Sequence, residues 1–458
     1  MTTPRWRAPT SHGDRLADPS TDQWPLLARQ QFDTLNDCFA RIGSSTVAEL
    51  RTSLRRRLNL PDVPVIVTGH QPELYHPGVW VKNFATARAA KACGGFALNL
   101  IADHDTLKSR AINVVHHHTD PTHVELQSIP FDQPGPELPW ELATVKDAAA
   151  WTEFTNRVCQ AAKSWNFTPM LLKRNWPTPR GTWGETFTAM RRTVETELGL
   201  NIRDVAVSTL GGTPEFGEFV RGVQSDLPRF REVYNRAILA YRTRHKLRSH
   251  THPAPKLAEN ESPFWAVTST GRTVPTSDTP LSAFRPRALT LTLFSRLMLG
   301  DLFVHGLGGA KYDEVTDEVM RHWLGIEPPR YAVLSATALL PFNTFDASPQ
   351  QLRHVQRQLR ELDWQPERHG AGPAELVRQK QEWIDRPSAN RTARQERFQQ
   401  LSYTTKQLRN SVSRTVKEDE GMRLIQELTA NGKLARRDFP WVLHPEEALL
   451  PFLQAYLE

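Results

Sequence analysis

The sequence predicts an α/β fold: a Rossmann-like parallel-sheet core followed by a C-terminal helical, coiled-coil arm. Two apolar stretches, residues 63–70 and 96–105, flank an Ala-rich stretch with helical spacing at 79–95. A strand, a helix and a second strand in this order form a βαβ unit, whose two strands run parallel. After residue 348 the chain is rich in Gln, Arg and Glu with sparse apolar residues at helical spacing, which is typical of long helices or a coiled-coil hairpin.

These patterns divide the 458 residues into four segments. We expect 1–60 to be an N-terminal helical segment packed on the core and 61–345 to be the Rossmann-like core. The arm is predicted at 346–435, and 388–431 within it is expected to be one continuous helix with few core contacts that forms a homodimer. The apolar tail, 436–458, is expected to return to the core.

Composition and charge exclude several classes of protein. Residues 350–437 hold 18 Lys and Arg against 11 Asp and Glu, which accounts for the whole net charge of +7. Aromatic residues are not interleaved with these basic ones, so nucleic-acid binding is not expected. No apolar N-terminal leader and no stretch of membrane-spanning length occurs, and the three cysteines lie far apart. We therefore expect a cytoplasmic protein with a small-molecule substrate and no membrane partner.

The first candidate site lies at the ends of the two predicted parallel strands. Asp103, His104 and Asp105 follow the second strand, and His70 and Gln71 end the first. Ligands of open α/β sheets bind at the carboxyl ends of the strands. The two carboxylates could orient the imidazole of His104, which would then act as a general base. The alternative is a solvated turn in which Asp105 caps the next segment.

A metal is not expected at this site, although histidines are concentrated around it. No helical His pair and no facial-triad spacing occurs, and the consecutive histidines 116–118 fall in a predicted strand, where neighbours point to opposite faces. The region contains seven of the chain's 16 histidines: His70, His76, His104, His116, His117, His118 and His123.

The second candidate site is the stretch HGLGGAKYDEVTDE at 305–318. Glycines between a strand and a helix let backbone N–H groups approach an anion, while a nearby lysine adds positive potential. No Walker A pattern is present, so the cofactor is left open, with ATP or another nucleotide among the candidates. A purely structural tight turn is the alternative. Asp313 and Asp317 are interpreted as acids of the first helical turn. The residues proposed to bind the anion are Gly306, Gly308, Gly309 and Lys311.

Three motifs in order resemble the BshC family, the cysteine-adding enzymes of bacillithiol biosynthesis. The family patterns VTGQQ-x-GL, EDHD and LRP...GGPGE-x-x-Y are similar to VTGHQPEL, ADHD and FRP...HGLGGAKY here. The likeness extends from about residue 61 to 342. It implies a Rossmann-like core with a dimerising coiled coil, and a reaction that joins cysteine to an amino-sugar acceptor through an amide bond. By position it carries over Gly69, Gln71, Asp103, His104, Asp105, Gly306, Gly308 and Tyr312.

The sequence departs from the family pattern at several of these positions. His70 replaces the second residue of the GQQ motif, and Ala102 replaces the glutamate of EDHD. Lys82 lies two residues earlier than the family lysine, and Gly309 stands where the family has an acid. The predicted substrate-binding set is completed by these altered residues, His70, Lys82 and Gly309, and by Arg285 of the FRP stretch.

The sequence therefore predicts a BshC-like ligase with Asp103, His104 and Asp105 as catalytic residues. Two other classes stay open. One is a non-catalytic small-molecule-binding or scaffold protein that keeps the fold without the family glutamates. The other is a nucleotide-sugar-dependent transferase that uses the same crevice.

Overall fold

The computed structural model describes residues 6–370, 372–411 and 413–458. Its strands are short. The first strand of the predicted βαβ unit, over 65–70, is rich in β-branched residues, which favour strands. In chain order they are β1 (Arg15–Asp18), β2 (Arg41–Ile42), β3 (Ser45–Thr46), β4 (Val65–His70), β5 (Phe96–Ile101), β6 (Ala111–His116), β7 (Glu125–Pro130), β8 (Arg203–Ala206), β9 (Phe264–Thr268), β10 (Gly271–Thr273), β11 (Phe284–Pro286), β12 (Leu302–His305) and β13 (Tyr331–Ala336).

The helices surround these strands, and several begin with a polar N-cap or with proline in the first turn, as helix starts prefer. In chain order they are α1 (Trp24–Asn36), α2 (Val47–Arg57), α3 (Pro77–Ala92), α4 (Ala148–Ala162), α5 (Met170–Lys173), α6 (Trp183–Glu197), α7 (Val207–Gly211), α8 (Pro214–Ser225), α9 (Leu227–Arg244), α10 (Ala288–Phe294), α11 (Leu307–Val319), α12 (Pro349–Trp364), α13 (Ala374–Asp385), α14 (Arg391–Asn410), α15 (Thr415–Leu434) and α16 (Glu446–Gln454).

The central sheet has six strands in the order β1-β13-β12-β4-β5-β8. Five of them are parallel, and only the edge strand β1 runs antiparallel, against β13. The chain starts this parallel sheet at β4, extends it through β5 to β8, and then returns to the other side of β4 with β12 and β13. The strand order thus reverses between β4 and β12, which is the arrangement of a Rossmann-like fold. The predicted fold class is confirmed.

Both faces of this sheet are covered, as parallel sheets require. Alternate residues of β4 belong to different apolar clusters: Ile66 faces a cluster that includes α3 and α6, while Val65 and Val67 face one that includes α2, α8 and α9. The period of two along a strand explains this division, because neighbouring side chains point to opposite faces. The result is a three-layer core with the sheet in the middle.

The long connection from β8 to β12 builds one wall of the region beyond the strand ends. It contains α7 to α10 and a three-stranded sheet in the order β10-β9-β11. The antiparallel pair β6–β7 forms a separate hairpin between β5 and α4. Both insertions follow strands whose carboxyl ends face the same side, so they enclose that side of the sheet.

The C-terminal arm consists of α12 to α15, in which α13 packs on α14 and α12 on α15. The prediction of one continuous helix over 388–431 is wrong, because α14 ends at Asn410 and α15 begins at Thr415. Ser411 ends the first helix with its N–H bonded to the carbonyl of Leu408, and Arg414 precedes the second. The two helices have different partners, since α14 packs on α13 and α15 packs on α12, so the break between them lets each helix bury an apolar face.

The tail after the arm packs on the core next to α3. The ring of Trp441 lies 4.8 Å from that of Trp80, centroid to centroid, and both side chains are buried. The N–H of Trp441 donates to the carbonyl of Tyr75, at 2.9 Å. In the described parts of the chain, no helix combines the length and the apolar character needed to cross a membrane.

Candidate functional site

A cavity of about 600 Å³ opens at the point where the strand order reverses. Its floor is formed by the carboxyl ends of β4, β5, β12 and β13, and its sides by α3, α10 and the first turn of α11. This is where ligands bind in open α/β sheets. Among its lining residues are Gly69, His70, Gln71, Lys82, Ala102, His305, Gly306, Gly308, Gly309, Tyr312, Arg437 and Asp438.

Lys82 places a buried cation in this cavity. It projects from α3, is 4% exposed, and its Nζ donates to the carbonyl of Gly69 at 3.0 Å. Among the described residues it forms no ion pair with a carboxylate, and burial alone lowers its pKa to about 8. A buried ammonium group without a counter-charge is unfavourable, so this arrangement favours the binding of an anion next to Lys82.

The juxtaposition predicted for the two strand ends is confirmed. His70 of β4 lies opposite Ile101 of β5 in a parallel register, and Gln71 Nε2 donates to Asp105 Oδ2 at 2.8 Å. The ring of His70 packs edge-on against Tyr75, and burial and the Lys82 ammonium group lower the pKa of His70 well below its usual range. His70 and Gln71 therefore line the cavity, and Gln71 joins this wall to Asp105.

The glycine stretch after β12 is not the loop that the sequence suggested. Gly306 is the N-cap residue, and Gly308 and Gly309 already belong to the first turn of α11. This turn presents backbone N–H groups without intrahelical partners towards the strand ends, which favours an anion. Gly306 and Gly308 line the cavity, but Lys311 is exposed and does not. Lys311 lies on the side of α11 that faces solvent.

Asp103 does not orient the imidazole of His104. Its carboxylate accepts a hydrogen bond from the N–H of Ser208 at 2.9 Å and another from the hydroxyl of Ser208, so it caps the start of α7. Burial raises the pKa of Asp103. The physical reason is topological: β5 pairs with β8, and the short helix after β8 therefore begins beside the end of β5.

Asp105 is also bound elsewhere, so His104 lacks the carboxylate partner that the sequence predicted. Besides Gln71, Asp105 binds the N–H of Thr106 at 2.8 Å and Nη1 of Arg272 at 2.9 Å. These hydrogen bonds and charges keep the pKa of Asp105 below its usual value. The carboxylate closes the wall between the β10 hairpin and the strand ends instead of activating a base.

His104 itself is 4% exposed, and its Nδ1 is buried without a hydrogen-bond partner in the part of the chain that the structure describes. Burial lowers the pKa of His104 to about 4. A base this weak is poorly suited to general-base catalysis near pH 7.

Arg285 and Tyr312 differ in their placement. Arg285 is held in a two-pronged ion pair with Glu141, at 3.0 and 2.8 Å, and its remaining donors bind the carbonyls of Ser282 and Phe284. With four of its five N–H donors bonded to protein groups, it lies outside the cavity lining and ties β11 to Glu141, in the segment after β7. Tyr312 of α11 lines the cavity beside Gly309.

Two smaller cavities adjoin the main one. One, of about 480 Å³, is lined by Asp105, Lys108 and Arg436, and the other, of about 410 Å³, by His104, Trp265 and Arg272. Gln71 lines all three cavities. The three cavities therefore place space for more than one small molecule around a single side chain.

Sequence reasoning did not select His305 or Asp313 as site residues. His305 ends β12 and lines the cavity, and its Nε2 is in contact with the carboxylate of Asp313, whose side chain is fully buried. The interpretation of Asp313 and Asp317 as first-turn acids is wrong, because both lie in the second half of α11 and pair with the buried Arg296. A histidine directly at a strand end was the available signal, as it was for His70.

The tail also contributes residues that the sequence did not select. Nη2 of Arg437 donates to Oγ of Ser335 at 3.0 Å and to the carbonyl of Ala336 at 2.9 Å, and Asp438 follows it on the cavity wall. Among the described residues, no group of three or more His, Cys, Asp and Glu side chains is arranged to hold a metal ion.

Comparisons with known proteins give little further information. No protein-family model and no curated protein matches the chain. Among solved structures, tyrosyl-tRNA synthetase from Archaeoglobus fulgidus, in a complex with L-tyrosine, is 13% identical and covers 90% of this chain and 99% of its own, with a TM-score of 0.28. The corresponding enzyme from Aeropyrum pernix is 12% identical and covers 94% and 99%, with a TM-score of 0.26.

Tryptophanyl-tRNA synthetase from Plasmodium falciparum is 8% identical and covers 94% and 92%, with a TM-score of 0.26. At these identities and TM-scores the superpositions support no argument about this chain's activity. Its own sheet order and cavity define the class: a Rossmann-like α/β protein with a small-molecule cavity where the strand order reverses.

Proposed function

We propose that the protein is a BshC-like ligase that forms an amide bond between the carboxyl group of cysteine, or of a related amino acid, and an amino-sugar-type acceptor. The observation that carries this proposal is Lys82, a buried cation without a carboxylate partner among the described residues, in the cavity where the strand order reverses. A ligase needs such a group, because its reaction passes through anionic carboxylate, phosphate and oxyanion states.

The first turn of α11 complements Lys82. Its unpaired N–H groups and the helix dipole favour negative charge, and the glycines there leave the backbone accessible. At both Gly306 and Gly308, an added Cβ would have no heavy atom within 4 Å among the surrounding residues. An activated carboxyl group could therefore bind between the helix end and the lysine, with ATP or another nucleotide as the source of activation.

Formation of an amide needs two substrates side by side. The three cavities, of about 600, 480 and 410 Å³, meet at Gln71, so an acyl donor and an amine acceptor would both reach this side chain. Ala102, which stands where the resemblance implies a glutamate, lines two of these cavities. The arrangement accordingly favours a ligase whose acceptor differs from that of the family.

The test is a ligation assay with the full-length protein, cysteine, ATP and a panel of amino-sugar acceptors that includes glucosaminyl-malate. We expect an amide product in mass spectrometry, together with nucleotide cleavage. Replacing Lys82 with Met should lower the rate about 100-fold, because a buried charge that stabilises an oxyanion is lost. Lys173→Met is the matched control, since Lys173 forms a surface ion pair with Glu447 at 2.8 Å.

A specific observation favours the second candidate, a non-catalytic small-molecule-binding or scaffold protein. Ala102 provides no carboxylate on the shared cavity wall, and neither Asp103 nor Asp105 is free to replace it. Calorimetry with the same ligands separates the two candidates. Binding that depends on Lys82, without product or nucleotide cleavage for any acceptor, would establish the binding protein and exclude the ligase.

We further propose that the arm forms a homodimer. Several large apolar side chains on it are exposed: Trp364, Phe398, Tyr403, Val416, Met422 and Ile425. Such a set of exposed apolar residues is typical of an interface. Light scattering at micromolar concentration should give twice the chain mass of 52.1 kDa, and Phe398→Glu should return the chain mass. A wild-type protein at the chain mass would contradict the dimer.

A further inference from the structure

His305 and Asp313 form a histidine–carboxylate pair at the end of the central strand β12. Nε2 of His305 is in contact with Oδ2 of Asp313, and the carboxylate is fully buried. The contact is that of an ion pair, and neither Nε2 nor the carboxylate oxygens have another hydrogen-bond partner among the described residues. An unprotonated ring nitrogen would repel the carboxylate oxygen, so in a neutral imidazole the proton belongs on Nε2. The other nitrogen, Nδ1, then has a free lone pair. The sequence predicted this arrangement for His104, but the structure provides it here.

The surroundings of the ring hold it in one orientation. Phe303 stacks on the imidazole, with ring centroids 4.2 Å apart and an angle of 21°, and Tyr331 packs edge-on against it at 5.6 Å. Asp313 is itself held by the guanidinium group of Arg296, at 3.4 Å. A base held by packed aromatic rings and a buried ion pair needs no rearrangement before it acts.

Nδ1 lies on the side of the ring that faces the first turn of α11. An ideal Cβ at Gly309 would come within 2.7 Å of Nδ1, closer than real Cβ atoms approach other heavy atoms. Any side chain at 309 would therefore displace the ring. Gly308, one residue earlier, has open space around its Cβ position. Gly309 is thus required for the imidazole to face the cavity that both residues line.

We propose that His305 is a catalytic residue: its Nδ1 accepts a proton from a primary amine bound in the cavity, and Asp313 is the positioning residue behind it. The class of substrate, an amino-sugar amine, rests on the proposed function. The pair itself rests only on geometry. His104 has no such role in this scheme, because its carboxylate neighbours bind Ser208 and Arg272 instead.

The acceptor ammonium group releases one proton to solvent and binds as the neutral amine. Its nitrogen attacks the carbonyl carbon of an amino acid activated as a mixed anhydride with phosphate, which a nucleoside triphosphate supplies. As the C–N bond forms, the second proton passes to Nδ1 of His305, and the C–O bond to the phosphate breaks, with the electron pair leaving on the phosphate oxygen.

The first experiment needs no turnover. Two-bond proton–nitrogen NMR spectra of full-length protein labelled with ¹⁵N-histidine report the tautomer of each ring, and His305→Gln assigns the signal. In the pH range where the ring is neutral, we expect the proton on Nε2 and a bare Nδ1. Adding D-glucosamine, as a primary-amine probe, should shift the Nδ1 resonance. A proton on Nδ1, or no response to glucosamine, would overturn the proposal.

Two glycine variants sharpen this measurement. Gly309→Ala should move the His305 signals and abolish their response to glucosamine, because the methyl group would lie 2.7 Å from Nδ1 and displace the ring. Gly308→Ala should leave the tautomer and the position of the His305 signals unchanged. Equal spectra for the two variants would contradict the proposed orientation of the ring.

The second experiment uses the ligation assay. His305→Gln should lower kcat about 100-fold or more with little change in KM, as expected for loss of a general base. His245→Gln is the matched control. His245 pairs at 2.9 Å with Glu314 of α11, the helix that carries Asp313, but it does not line the cavity. If the wild type is active and His305→Gln keeps its rate, this proposal fails and the proposed function stands. If no acceptor reacts but glucosamine shifts Nδ1, the proposed function fails and the proton-acceptor site stands.

Discussion

The sheet core and the C-terminal arm of this protein use charged residues in opposite ways. In the core, Arg51 and Asp301 form an ion pair with both side chains fully buried, and Asp301 also accepts from the N–H of Val65 at 2.6 Å. In the arm, Arg378 and Glu375 form an ion pair with both side chains mostly exposed. A surface pair contributes little to stability, whereas removing one partner of a buried pair leaves an uncompensated charge.

The same contrast holds for apolar residues. Trp80, Phe84 and Trp183 of the core are completely buried, whereas Trp364 and Phe398 of the arm are 74% and 71% exposed. Core side chains are held by partners far away in the sequence. The arm helices are held mostly by one another, α13 by α14 and α12 by α15. The difference indicates that precise positioning, which catalysis requires, is available at the sheet edge, while the arm is suited to association with another surface.

The largest expected effect compares one aromatic side chain from each region. Trp80→Ala should lower the free energy of unfolding by about 3–5 kcal/mol, because it opens a cavity and leaves Glu195 without the indole donor at 2.8 Å. Phe398→Ala should change it by no more than about 0.5 kcal/mol at concentrations where the protein is monomeric. Urea denaturation measures both. A cost above about 2 kcal/mol for Phe398→Ala would show that the arm is as tightly packed as the core.

An intermediate effect on the free energy of unfolding is expected at His104. A structural role and a catalytic role for this residue predict different results. His104→Ala should destabilise the protein by about 1–3 kcal/mol, because it removes a side chain that is only 4% exposed and leaves a cavity in its place. His369→Ala in the arm, whose ring contacts Glu361 at 3.2 Å, should cost at most about 1 kcal/mol. Equal melting temperatures for wild type and His104→Ala would restore His104 as a functional candidate.

The third effect depends on pH and concerns acid stability. His444 lies in the tail with its side chain buried, and burial lowers its pKa to about 3. In the unfolded chain His444 binds a proton near pH 6.5, whereas in the folded chain it does so only near pH 3. Stability therefore falls as the pH drops from 6.5 towards 3. Between pH 7 and pH 5, this one group should account for about 2 kcal/mol of the loss.

Denaturation of His444→Gln at the two pH values tests this expectation, because glutamine can donate a hydrogen bond but does not titrate. The variant should lose about 2 kcal/mol less than the wild type on acidification. His354→Gln, on an exposed position of α12, is the matched control and should reproduce the wild-type difference. A wild-type difference that is unchanged in His444→Gln would exclude this histidine as a source of acid lability.

The sequence by itself determined the order of elements in the first βαβ unit and the meeting of two strand ends. Apolar runs with a period of two indicate strands, and the Ala-rich stretch between them indicates the crossover helix, so the pairing of β4 with β5 could be predicted. The predicted neighbourhood of Gln71 and Asp105 follows from that pairing. The arm was recognised as helical for the same reason, although the turn after Asn410 has no strong breaker such as proline or glycine and was missed.

Only the tertiary structure decided which partner each site residue has. Asp103 binds Ser208, more than 100 residues away in sequence, because β8 lies next to β5, and this removes it from His104. Asp313 reaches His305 because α11 folds back over the strand that precedes it, and Arg296 neutralises it from a separate helix. The residue types that can carry chemistry are visible in the sequence. Hydrogen bonds and ion pairs, however, act over a few ångströms and depend on how distant elements pack. The fold therefore sets the pairing that gives His305 a buried carboxylate and leaves His104 without one.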